Sequence, residues 1–99
     1  MLYVIFAEDA PENSHLRGQY SNAHRQRLQQ LLDEGRLVLA GPCPRIDQDI
    51  SGTSGFTGSL IVAEFDSLDE AQQWVSEDPY VVHKIYKNVS IKPFKQVLP

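Results

Sequence analysis

Gly58-Ser59-Leu60-Ile61-Val62-Ala63-Glu64-Phe65 is followed, one residue later, by Ser67-Leu68-Asp69-Glu70. The first stretch reads as a β-strand. Its run Leu60–Ala63 is apolar on both faces, which predicts a central place in a sheet. The second stretch is a capping box, with Ser67 capping a helix and Glu70 at N3 reaching back to the cap. That helix buries Leu68, Ala71, Trp74 and Val75 and ends near Glu77.

Working outward, Leu2–Ala7 is rich in β-branched and aromatic residues and reads as a buried strand. Residues Glu8–Asn13 read as a loop. A helix is predicted over Arg17–Glu34, because Tyr20, Ala23, His24, Arg27, Leu28, Leu31 and Leu32 follow the i, i+3, i+4, i+7 rule. Gly35 stops it as a C′ residue. Leu37–Gly41 is the next strand, ended by Pro42, and Cys43–Phe56 is a long loop. After the capped helix, Asp78 and Pro79 open a further short helix as N-cap and N1. Val89–Val97 is the last strand, and Pro93 within it implies an edge position or a bulge.

The order is therefore strand, helix, strand, strand, helix, strand, in one domain spanning residues 1–99. This is the split βαβ pattern of an α+β, ferredoxin-like βαββαβ domain with a four-stranded antiparallel sheet. Two helices cover one face of such a sheet. The strands are apolar on both faces, so a second copy of the chain is expected to cover the other.

Composition narrows the function. Nine basic and thirteen acidic residues give a net charge of −4. An acidic surface repels phosphate backbones, so nucleic acid is not expected as a partner. The loose group Lys84, Lys87, Lys92 and Lys95 reads as a solvated face. The only cysteine, Cys43, precludes an intrachain disulfide and fits a reducing cytoplasm. It has no sequence feature that would activate its thiol. The N-terminus lacks a basic leader, and no apolar run approaches the ~20 residues of a membrane span, so neither export nor membrane insertion is expected.

His24 is the residue best suited to chemistry. It falls on the buried stripe of the first helix, where an imidazole needs a hydrogen-bond partner. It reads either as a general acid or base or as a satisfied core histidine. Asp78 reads as a helix N-cap, and also as a carboxylate able to orient His24, since one carboxylate can serve both roles. Tyr80 is a candidate phenolic proton donor to a substrate, or a packed aromatic. Gly41, Pro42 and Ser59, at strand ends, are candidate substrate contacts. His15 and His83 lack ligand-like spacing with each other or with Cys43, so no metal is expected. Ser51-Gly52-Thr53-Ser54-Gly55 is not a phosphate-binding loop and reads as a flexible segment.

Several blocks carry a resemblance over essentially the whole chain. They are MLYVIFA.D at the start, AH..RLQ.L.DEGRL..AGP over Ala23–Pro42, GFTGS..VAEF.SL..AQ.W over Gly55–Trp74, DPYV over Asp78–Val81, and Val89, Phe94 and Lys95 near the end. In these blocks the chain resembles the YCII-related family. The resemblance implies a dimeric α/β barrel of ferredoxin-like subunits and a cleft whose proposed active site is a His–Asp pair, matched here by His24 and Asp78. A related member looks like a dehydrochlorinase acting on a chlorinated hydroxyhydroquinone, which implies a reaction style rather than a substrate. The expectation is a cofactor-independent lyase or isomerase with His24 as base, acting on a small molecule. The alternatives are a dimer that binds a small metabolite without catalysis, and a purely structural dimer. The loop Arg45–Ser54 is expected to set specificity.

Overall fold

In the computed structural model, which describes residues 1–99, the chain runs β1 (Leu2–Asp9), a 3-10 turn (Ser14–Leu16), α1 (Arg17–Asp33), β2 (Leu37–Pro44), β3 (Phe56–Glu64), α2 (Leu68–Ser76), α3 (Pro79–Val82) and β4 (Tyr86–Phe94). The strands form one antiparallel sheet in the order β2-β3-β1-β4. The domain is therefore ferredoxin-like α+β. No helix is long and apolar enough to cross a membrane.

Local chemistry explains the element ends. Gly35, at φ +73°, lets α1 close in a Schellman motif. Its N–H donates to the Leu32 carbonyl at 3.0 Å, and the Arg36 N–H donates to that of Leu31 at 2.9 Å. Ser67 Oγ accepts from the Glu70 N–H at 3.1 Å and starts α2. The return half of the expected capping box does not form, because the Glu70 side chain stays in solvent. Asp78 caps α3 by accepting from the Tyr80 N–H at 2.9 Å.

The expected central position of the third strand is met, since β3 lies between β2 and β1. Pro93 lies on an edge strand, as its missing N–H requires. Several boundaries differ from the sequence reading. β1 continues past Ala7 to Asp9, so the loop read from Glu8 starts later, and β3 already starts at Phe56, because both ends remain paired to neighbouring strands. β2 continues through Pro42 to Pro44, because it is also an edge strand and its prolines need give no N–H to a further neighbour. The loop after it is correspondingly shorter. β4 starts at Tyr86 and stops at Phe94, because Phe94 pairs with Leu2 and β1 offers no partner beyond that point. On α1, Ala23 and Leu32 face solvent, while His24 and Leu31 are the buried members of the stripe.

The core lies between the sheet and its helices. Tyr3, Ile5, Ile61 and Ala63 form its sheet side and Leu31, Ala71 and Val75 its helix side. The register sets Ile5 opposite Ile61 and Tyr3 opposite Ala63. Alternation sends Leu2, Val4, Phe6, Leu39, Leu60 and Phe94 to the other face. Phe6, Leu39 and Phe94 are 40–48% exposed there.

Candidate active site

A cleft of about 600 Å³ opens between α1 and the β2–β3 side of the sheet. His24 lines it from the buried side of α1, and Ser59 and Tyr80 line it from β3 and α3. Gly41 and Pro42 border it from β2, where both are exposed.

His24 Nδ1 lies 2.9 Å from both Oδ1 and Oδ2 of Asp78. Both residues are more than nine-tenths buried. The other neighbours of that carboxylate are donors. Oδ1 accepts the Tyr80 N–H, and Oδ2 accepts from Arg27 Nη1 at 3.2 Å. Arg27 also donates to the Trp74 carbonyl at 2.6 Å and lies over the indole, 4.3 Å from its centroid. With donors on its other sides this carboxylate acts as an acceptor, which makes Nδ1 the ring nitrogen that donates to it. The neutral imidazole then keeps its lone pair on Nε2, which meets no protein partner. A buried carboxylate offsets its desolvation only when donors satisfy its oxygens, and here His24, the Tyr80 N–H and Arg27 do.

Tyr80 stacks on the imidazole, with centroids 4.1 Å apart and planes 11° from parallel. Its hydroxyl donates to the Arg17 carbonyl at 3.1 Å. Burial pushes its pKa up, against the opposing pull of Arg17. Its ring thus borders the cleft, while its proton is held by the backbone.

A second charged pair sits at the start of α1. A register shift between Glu8 and Asp9 precedes the last pair of the β1–β4 ladder, Asp9 with Tyr86. The Asp9 carboxylate there accepts from Arg17 Nε at 2.6 Å and from Nη2 at 2.9 Å. Nη2 also donates to the Gly58 carbonyl at 2.9 Å and to Ser59 Oγ at 3.0 Å. Burial works against the Arg17 charge, but the bidentate bond to Asp9 outweighs it and holds the guanidinium pKa above its ordinary value. Phe56, Tyr80 and Tyr86 surround the guanidinium at 5.2–5.8 Å. The Tyr86 hydroxyl is buried without a protein partner, and burial raises its pKa.

The sequence reading missed Asp9, Arg17 and Tyr86, and took Arg27 only as a member of the helix stripe. A carboxylate at a strand end and an arginine opening the next helix were the available sign of the first pair. His83 stacks on Tyr20 with centroids 3.9 Å apart, and His15 is exposed. No three His, Cys, Asp or Glu side chains gather to form a metal cage.

The fold and the site together define a ferredoxin-like domain with a buried histidine–aspartate pair beside an open cleft. The sequence model of the YCII-related domain matches residues 1–95, and the chain belongs to the YCII-related family. It is 52% identical over 97 residues to Protein YciI from Escherichia coli O6:H1, a match covering 98% of this chain and 99% of that one. It is 45% identical, over the same shares of the two chains, to an uncharacterized protein of Haemophilus influenzae. Among solved structures it shares its fold with the 5-chloro-2-hydroxyhydroquinone dehydrochlorinase TftG from Burkholderia phenoliruptrix AC1100, in complex with 2,5-dihydroxybenzoquinone. That match has a TM-score of 0.85 at 24% identity and covers 96% of this chain and 94% of the other.

Proposed function

We propose that the protein is a cofactor-independent acid–base enzyme of the lyase type, with His24 as general base and Asp78 as its orienting carboxylate. The observation that carries this reading is the Nδ1–carboxylate contact of a buried pair whose other ring nitrogen is free beside a cleft. In an elimination, Nε2 takes a proton from carbon. The C–H electron pair becomes the new double bond, and the leaving group departs with its own bonding pair. The imidazolium then returns its proton to solvent. A dehydrochlorinase of the same fold supports this reaction style. The working unit is a homodimer in a cytoplasmic setting, with the apolar sheet faces packed together. Ser59, Gly41 and Pro42 contact the substrate, and Tyr80 does so through its ring.

The test is a screen of small carbonyl compounds and phenols bearing a leaving group beside an acidic C–H, 5-chloro-2-hydroxyhydroquinone among them. Turnover should fall by about 10²–10⁴-fold in His24→Ala, while circular dichroism and Tm report a folded protein. Undiminished turnover in that variant removes His24 as the base. One observation favours a second reading. The Tyr80 proton is committed to a backbone carbonyl, which leaves the base without an adjacent acid. A dimer that only binds a small metabolite would show saturable binding and no product.

A further inference from the structure

The cleft wall supplied by α1 changes character along its length. Its first half presents Arg17, Ser21, His24 and Arg25, and its second half Leu28 and Leu32, with the exposed Gln29 between them donating its amide to Asp33. The sheet follows the same gradient. Ser59 pairs with Pro42 at one end, while Ile61 and Leu37 lie toward the other. The cleft thus has a polar end and an apolar end, with the imidazole between them.

The polar end is also electrically one-sided. The chain carries a net charge of −4, yet the cleft lining holds two arginines and no carboxylate. Arg17 is neutralised overall by Asp9, but its Nη1 group has no protein acceptor, and Ser59 Oγ still has its own proton to give. Arg25 is exposed at the cleft and forms no ion pair. Such donors beside an apolar trough recognise an oxyanion attached to a hydrocarbon body.

We infer that the cleft takes an amphiphilic organic anion, its oxyanion held by Arg17 and Ser59 with Arg25 at the mouth, and its apolar body lying along Leu28, Leu32 and Leu37. This rests on the proposed catalytic use of the same cleft and adds the substrate class. Tyr80 is a neighbour of both the Arg17 guanidinium and the His24 imidazole. An anion held at the first therefore has its adjoining carbons presented toward the second.

The test uses two probes of matched shape, 2-naphthoate and 2-naphthamide, titrated into the intact protein and followed by amide chemical shifts. The acid should bind saturably and about tenfold more tightly than the amide, with the shifts centred on residues 17–32 and 59. Arg25→Gln and Ser59→Ala should each reduce that preference, and both together should reduce it further, with Arg17 sustaining what remains. Lys95→Gln, remote from the cleft lining, should leave it intact. Equal affinities, no binding of either probe, or a preference undiminished in the double variant overturns the proposal. His24→Ala separates the two claims, because it should remove turnover and retain the preference for the acid. Loss of the preference in that folded variant would place the anion on His24 instead and sink the Arg17–Ser59 assignment.

Discussion

The Nδ1 atom of His24 is equidistant, at 2.9 Å, from the two carboxylate oxygens of Asp78. The imidazole edge therefore points at the middle of the carboxylate, and both oxygens retain capacity for other donors. Oδ1 uses it to cap α3 and Oδ2 to bind Arg27. One side chain thus starts a helix and fixes a tautomer at the same time.

Asp78→Asn should separate these roles. Asparagine caps helices about as well as aspartate, so α3 should persist and Tm should fall only modestly. The amide lacks the charge that favours a proton on Nδ1. Histidine ¹⁵N shifts should move toward a mixture of tautomers, and turnover should drop by about 10³–10⁴-fold. A spectrum identical to that of the parent protein would show that the carboxylate does not set the tautomer.

Arg17→Met should cost about 3 kcal/mol in urea denaturation, because it strands the buried Asp9 carboxylate. Adding Asp9→Asn should restore part of that loss. A double variant less stable than Arg17→Met alone would mean that Asp9 is stabilised by something other than the guanidinium.

Gly58→Ala should destabilise the sheet by about 3 kcal/mol. A Cβ at this position would meet the Ala7 carbonyl oxygen at 2.2 Å, a backbone atom that moves only if β1 and β3 part. Unchanged urea midpoints would show that the strands adjust at little cost.

Phe6→Glu should convert the proposed dimer to a monomer in sedimentation velocity. Phe6 lies on the sheet face away from the helices and is 45% exposed in the single chain. Facing charges across a desolvated seam are strongly unfavourable. A variant that sediments like the parent would exclude this face as the contact.

Much of the architecture was legible because period and punctuation agree. The two-faced apolar run Leu60–Ala63 reported a central strand, Ser67 a helix start, Gly35 a helix stop and Pro93 an edge. Boundaries were less legible where they depend on a partner strand. β4 ends where β1 runs out of residues, which no feature of Val89–Val97 announces. In the cleft, His24 stood out because an imidazole on an apolar stripe needs a partner, and Asp78 because it precedes a proline. Their contact joins residues 54 positions apart and is a product of tertiary packing. Tyr80 shows the limit of residue type as a guide. A phenol reads as a proton donor to a ligand, yet here the Arg17 carbonyl takes the proton. Arg17 entered the sequence reading only as the first residue of a helix, and only the fold brings it to Asp9 and Ser59.

The chain's one tryptophan, Trp74, lies beneath the same guanidinium that binds the Asp78 carboxylate. Its fluorescence is therefore a native gauge of the dyad. Any event that loosens Arg27 from Asp78 changes the cation above the indole, so the intensity or wavelength of its emission can follow the site in real time without an added label.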